Sequence, residues 1–217
     1  MPPDIIGELG LYAESKGISI EMGSRGLTPG HTIECLIVAQ TLKSPILRMV
    51  IDNDSFKPDV SSVISITKDL LPELKKRNIK LAIENHDRFR AREFEKIILE
   101  TDPACVGICL DSVNSMGAGE GFDLVSEILA PFTINLHIKD FTIYRVSHKM
   151  GFVIEGRPAG KGMLDIPSLI DKINPYGQCR SAILELWTPP AETLEYTIAK
   201  ENEWADVSVE YLKTITG

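Results

Sequence analysis

The stretch Lys80–Phe89, KLAIENHDRF, sets the reading of the chain. An apolar run, Leu81–Ile83, stops abruptly, and Glu84, Asn85, His86 and Asp87 follow it. Four polar side chains at the end of a buried strand are costly unless something uses them. The stretch therefore predicts a strand whose end carries a carboxylate and an imidazole for a purpose.

Working outward, strand-length apolar runs recur, separated by segments with helical spacing. Strands are expected at Gly17–Gly23, Ile46–Asp52, Lys80–Asn85, Val106–Asp111, Thr133–Asp140 and Ser181–Trp187. The chain opens in a helix over Asp4–Gly17. Further helices are expected over His31–Leu42, Asp59–Asn78, Ala91–Glu100 and Phe122–Ala130, from Ile166 to Asn174, and over Thr193–Ile215. Pro72 should kink the Asp59–Asn78 helix or lie near its end. Ser147–Asp165, with its four glycines, reads as a long polar segment. Strand–helix alternation argues a parallel sheet covered by helices, and the near-continuous Val, Ile and Leu of the strands says that both faces are buried. Two architectures remain, a doubly wound sheet and a (β/α) barrel. No strand is followed by a glycine-rich phosphate loop, which weakens the nucleotide-binding versions of the first.

The ends of the strands carry the chemistry. Glu84 closes the third strand and Asp111 the fourth; the fifth holds His137 and Lys139, and the sixth Glu185. In a barrel all C-terminal strand ends face one mouth, where active sites sit. Taken singly, each residue has an ordinary reading: an Asp at a strand end as a helix cap, a His in a strand as a hydrogen-bonded core residue, Asn85 and Asn114 as loop formers. Together they place three carboxylates and an imidazole at one point, where the carboxylates repel unless a cation lies among them. Oxygen ligands with one imidazole suit Mn²⁺, Mg²⁺ or Co²⁺ better than a structural zinc, which prefers thiolates.

Composition narrows the class. With 43% hydrophobic and 25% charged residues the chain reads as an ordinary globular protein. It has no membrane-length apolar run and no signal-peptide pattern at its start. The net charge of −8 argues against a nucleic-acid partner. Cys35, Cys105, Cys109 and Cys179 have no zinc spacing and read as reduced, mostly buried thiols of a cytoplasmic protein.

The segments LAIENHDRF, VGICLDSVNS, NLHIKDF, GRPAGKGMLD and AILELW, in that order, resemble the sugar-phosphate isomerase/epimerase family, the xylose-isomerase-like TIM barrels. The resemblance implies that Glu84, Asp111, His137 and Glu185 bind one divalent metal, and that Glu84 and Glu185 are the catalytic acid/base pair of a ketose epimerase. Many such epimerases carry a His three residues after the metal-binding Asp; Asn114 stands there. The implied activity is a metal-dependent isomerase or epimerase of a sugar, sugar phosphate or keto-sugar acid, acting through an enediolate. The alternatives are a lyase, decarboxylase or dehydratase on a keto-sugar acid, or an inactive barrel that only binds metal. His86, Asn114, Lys139, His148 and Arg157, with Lys161, are the expected contacts to a small carbohydrate substrate. The family barrel has eight strands against six found, so the resemblance implies one domain over residues 1–217 lacking its first two strands, roughly 60 residues. An open parallel edge predicts either a fragment or a homo-oligomer that covers it.

Overall fold

A computed structural model describes residues 3–216. Helix α1 (Pro3–Ser15) leads into a six-stranded parallel sheet of β1 (Met22–Arg25), β2 (Ile46–Val50), β3 (Lys80–Glu84), β4 (Val106–Asp111), β5 (Thr133–Ile138) and β8 (Ala182–Leu184), in that spatial order. Helices α2 (Pro29–Thr41), α3 (Val60–Arg77), α4 (Ala91–Leu99), α5 (Phe122–Leu129), α6 (Ile166–Ile173) and α7 (Leu194–Thr216) return the chain between or after the strands. The sheet is strongly curled. Asn135 on β5 donates across the concave side to Glu21, beside β1, at 2.8 Å.

The ends of α3 show how local sequence sets an element. Asp59 caps its start by accepting from the Ser62 N–H at 2.8 Å, and Asn78 ends it in the left-handed region, φ 54°. Val63, Ile64, Thr67, Leu70 and Leu74 form its buried stripe. Pro72 lies inside the helix rather than at its end. It is on the exposed face, where water can serve the carbonyl that it leaves without a donor.

Three sequence expectations shift. β1 begins at Met22 rather than Gly17. Gly17, at φ +67°, closes the turn after α1, and pairing of Met22 with Leu47 starts the ladder. The expected sixth strand is shorter, Ala182–Leu184, although the Glu185 N–H still donates to the Ile138 carbonyl at 3.0 Å. The polar segment Ser147–Asp165 contains a strand that pairs with residues ahead of it. Asp140–Arg145 (β6) and Phe152–Arg157 (β7) form an antiparallel hairpin outside the main sheet. Its β-branched and aromatic residues, FTIYR and FVIE, had been outweighed by the glycines around them.

Most of the core lies between strands and helices. A second, small cluster of Ile46, Ala82, Cys109 and Ile134 lies apart from it. There β5 carries a register shift: Ile108 pairs with Thr133 but Cys109 with Asn135, leaving Ile134 as an extra residue. Gly107 makes room for it, because a Cβ at that position would collide with the Ile134 side chain and the Phe132 carbonyl. The shift has a consequence at the strand end, since it sets His137 directly beside Asp111.

Candidate active site at the strand ends

Asp111 is the most constrained member of the site. Its Oδ1 accepts from the backbone N–H groups of Val113 and Asn114 at 2.8 and 2.9 Å. Its own backbone is gripped by the fully buried Asn85, whose Oδ1 accepts from the Asp111 N–H at 2.6 Å and whose Nδ2 donates to the Asp111 carbonyl at 3.0 Å and to Ser115 Oγ at 2.9 Å. Asn85 thus orients Asp111 rather than shaping a loop. Neighbouring Glu84, also buried, accepts from Asn114 Nδ2 at 2.7 Å and lies 3.4 Å from the Arg48 guanidinium.

On the other side of Asp111, His137 Nδ1 is 2.7 Å from Glu185 Oε2, and Lys139 Nζ is 2.9 Å from Asp111 Oδ2 and 3.0 Å from Glu185 Oε1. The approaches to Asp111 Oδ2 and His137 Nδ1 are close but bent. Neither atom has an aligned hydrogen bond, and both are buried. Buried polar atoms without an aligned partner are uncommon, and these two lie among ligand-type side chains. Ligand atoms of Asp111, His137 and Glu185 lie within 4.8 Å of one another, a span that a divalent ion with bonds of about 2.0–2.4 Å can bridge. Glu84 groups with His137 and Cys109 instead, so the four expected ligands form two overlapping sets sharing His137. Burial pushes the Cys109 thiol well above its ordinary pKa, so it is a neutral thiol in the metal-free chain. The donors on offer are oxygens and one imidazole, and they fit a divalent ion.

The charges are unequal. Burial raises the Glu84 pKa, partly offset by Arg48. The His137 ring, and after it Lys139, hold Glu185 down at about 2. Burial alone would lower Lys139, but Asp111 and Glu185 outweigh it and keep the ammonium above its usual value.

Over this cluster opens a pocket of about 360 Å³ lined by Ser24, Arg25, Arg48, Val50, Glu84, His86, Lys139 and Glu185. His86 and Lys139 line it as the sequence suggests, and Asn114 stands behind Glu84. His148 lies in the hairpin turn, where its Nδ1 accepts from the Met150 N–H, and Arg157 turns to Glu155 at 3.2 Å. Neither lines this pocket, nor does Lys161. Arg25 and Arg48 were not anticipated. Arg48 is the one charged residue of the apolar run ILRMV, and that interruption was the available signal. Gly23 beside it leaves space for the guanidinium, which a Cβ would meet at 2.6 Å. Asp140, next to Lys139, is a second clamp. It accepts from the N–H groups of Gly160, Gly162 and Leu164 at 2.9–3.0 Å and so organises the glycine-rich loop beside the hairpin.

Comparison with known proteins identifies the fold. Residues 32–215 match the family model described as xylose isomerase-like TIM barrel. The chain is 31% identical over 214 residues to the 3-oxo-isoapionate decarboxylase of Pectobacterium atrosepticum, covering 99% of this chain and 78% of that protein. Among solved structures it superposes on the D-psicose 3-epimerase of Clostridium cellulolyticum H10 with a TM-score of 0.76 at 11% identity, over 99% of this chain and 84% of that one. A magnesium complex of a xylose isomerase-like TIM barrel protein from Mycobacterium smegmatis gives 0.66 at 12% identity, over 97% and 79%. At such identities the superpositions speak for the fold alone; the family model covers most of the sequence, and the chain belongs to the xylose isomerase-like TIM barrel family.

Proposed function

We propose that this protein is a divalent-metal-dependent, sugar-modifying enzyme that decarboxylates a 3-oxo sugar acid. The observation that carries the reading is the company the carboxylates keep: Arg25, Arg48 and Lys139 line the same pocket as Glu84 and Glu185. Arg48 pairs with Glu84, and Lys139 with Asp111 and Glu185, but three cations around one pocket suit a substrate carboxylate better than a neutral ketose. The relative at 31% identity, named for decarboxylation of a 3-oxo acid, supports the same reading.

Asp111, His137 and Glu185, with Glu84, would hold the ion, which supplies Lewis-acid polarisation of the substrate ketone when bound. Arg25 and Arg48 hold the substrate carboxylate and fix the C–C bond that breaks. Cleavage releases CO₂ and leaves its electron pair on the enediolate of the shortened sugar. Glu84, held in place by the Asn114 amide at 2.7 Å, delivers the proton to the carbon. Asn85 keeps Asp111 aligned throughout.

A second reading, ketose epimerisation, draws on a different observation. Glu84 and Glu185 enter one pocket from strands that are not neighbours, so each can face one side of a planar enediolate. One experiment separates the two. The chain is incubated with Mn²⁺ or Mg²⁺ in D₂O with carboxyl-¹³C 3-oxo sugar acids and with ketoses. Chelator-sensitive ¹³CO₂ release supports decarboxylation. A deuterated epimer without CO₂ supports the second reading, and unchanged substrate in every tube overturns both.

A further inference from the structure

Lys139 occupies an unusual place. Its ammonium is 2.9 Å from Asp111 Oδ2 and 3.0 Å from Glu185 Oε1, two atoms of residues whose donors group with His137. It supplies positive charge there without an aligned hydrogen bond to the buried Asp111 Oδ2. Asn114 Oδ1 is its further partner at 3.4 Å, beyond the usual N–H···O range. Lys139 also lines the open pocket above the cluster, so its flexible stem has space to move into.

We propose that Lys139 is a placeholder cation: it neutralises Asp111 and Glu185 in the metal-free chain and is displaced into the pocket when a divalent ion binds. The inference rests on the metal site argued above. The reasoning is electrostatic. An ion bonded to those two carboxylates shares them with the ammonium, and a double and a single positive charge within about 3–5 Å repel by many times thermal energy. Without any cation, Asp111 is a fully buried carboxylate facing Glu185, which is costly. The lysine resolves that cost before the metal arrives. Once displaced, its ammonium joins Arg25 and Arg48 in the pocket, so metal loading completes the group of cations facing the substrate acid.

The test compares Mn²⁺ binding by the intact chain and by Lys139→Met and Lys139→Arg, using calorimetry and thermal melting. Lys139→Met removes the competitor. Its Mn²⁺ affinity should rise at least tenfold, and its melting point should lie below that of the intact chain without metal yet rise further on adding it. Lys139→Arg keeps the charge and should show no gain. If Lys139→Met fails to fold alone, it is refolded with Mn²⁺, and slower loss of the ion to chelator than from the intact chain is the expected result. Equal or weaker Mn²⁺ binding by Lys139→Met overturns the placeholder and leaves the metal site standing. Absence of Mn²⁺ binding by the intact chain and both variants overturns the placeholder and the metal site together.

Discussion

Replacing Asn85 by Ala tests whether the site is held from behind. The amide makes three hydrogen bonds, two to the Asp111 backbone and one to Ser115. Ala leaves the buried Asp111 N–H and C=O without partners, and each such group costs about 1–3 kcal/mol. The Ser115 hydroxyl can rotate to another acceptor, so the loss is about 3–5 kcal/mol. For a chain of this size 1 kcal/mol moves the melting point by about 2–4 °C, which gives a fall of roughly 6–20 °C. Asn85→Asp should be worse. It keeps an acceptor for the Asp111 N–H but turns a second acceptor, with charge, towards the Asp111 carbonyl. The backbone of Asp111 carries a proposed ligand, so Mn²⁺ affinity should fall about 10–100-fold in both variants. Melting curves and Mn²⁺ titrations of the purified variants are the assays. An Asn85→Ala protein that melts within about 2 °C of the parent and binds Mn²⁺ equally well would refute the clamp.

Other outcomes follow from the same geometry. Glu84→Gln should lower turnover roughly 10²–10⁴-fold in a steady-state assay, because it can no longer move a proton. The same substitution should leave the metal-free chain as stable as the parent or more so at neutral pH. Glu84 has a raised folded pKa, so its contribution is complete below the unfolded value near 4.5 and is lost as pH rises through the folded one; melting curves from pH 4 to 7 read the difference. Glu185 has the opposite sign. Its folded pKa is depressed to about 2, so its stabilisation is present above about 4.5 and lost between there and 2, and Glu185→Gln should flatten acid unfolding in that window. The side chain is 42% exposed, so solvent screening keeps the effect small. Gly162→Ala should destabilise the loop after the hairpin, because its Cβ would collide with the Asp140 carboxylate and the Phe141 carbonyl; faster proteolytic nicking near residues 158–164 is the readout.

The order of strands and helices was legible in the sequence because buried parallel strands are nearly continuous in Val, Ile and Leu, and their helices carry a clear apolar stripe. The polar endings of β3, β4 and β5 stood out against those runs, so Glu84, Asp111 and His137 were readable before any coordinates. The hairpin was not, because its turn and flanking glycines hid two short alternating strands. Nor was the role of Asn85, since two bonds to the neighbouring strand end and one to Ser115 beyond it leave no trace in local sequence. Arg48 was missed because a charge within a strand reads as a surface residue until the curl of the sheet turns it inward. The register shift at Ile134, which sets His137 beside Asp111, depends on a missing Cβ at Gly107, a relation between strands that spacing along one of them cannot express.

If the polar strand ends form one divalent-metal centre, the ion should be visible in the crystal. Anomalous diffraction from crystals grown with Mn²⁺ tests it most directly. A single strong peak is expected among Asp111, His137 and Glu185, within reach of Glu84, with the Lys139 ammonium moved away from Asp111. A fully loaded soak with no peak there, and Lys139 still bridging Asp111 and Glu185, would contradict it.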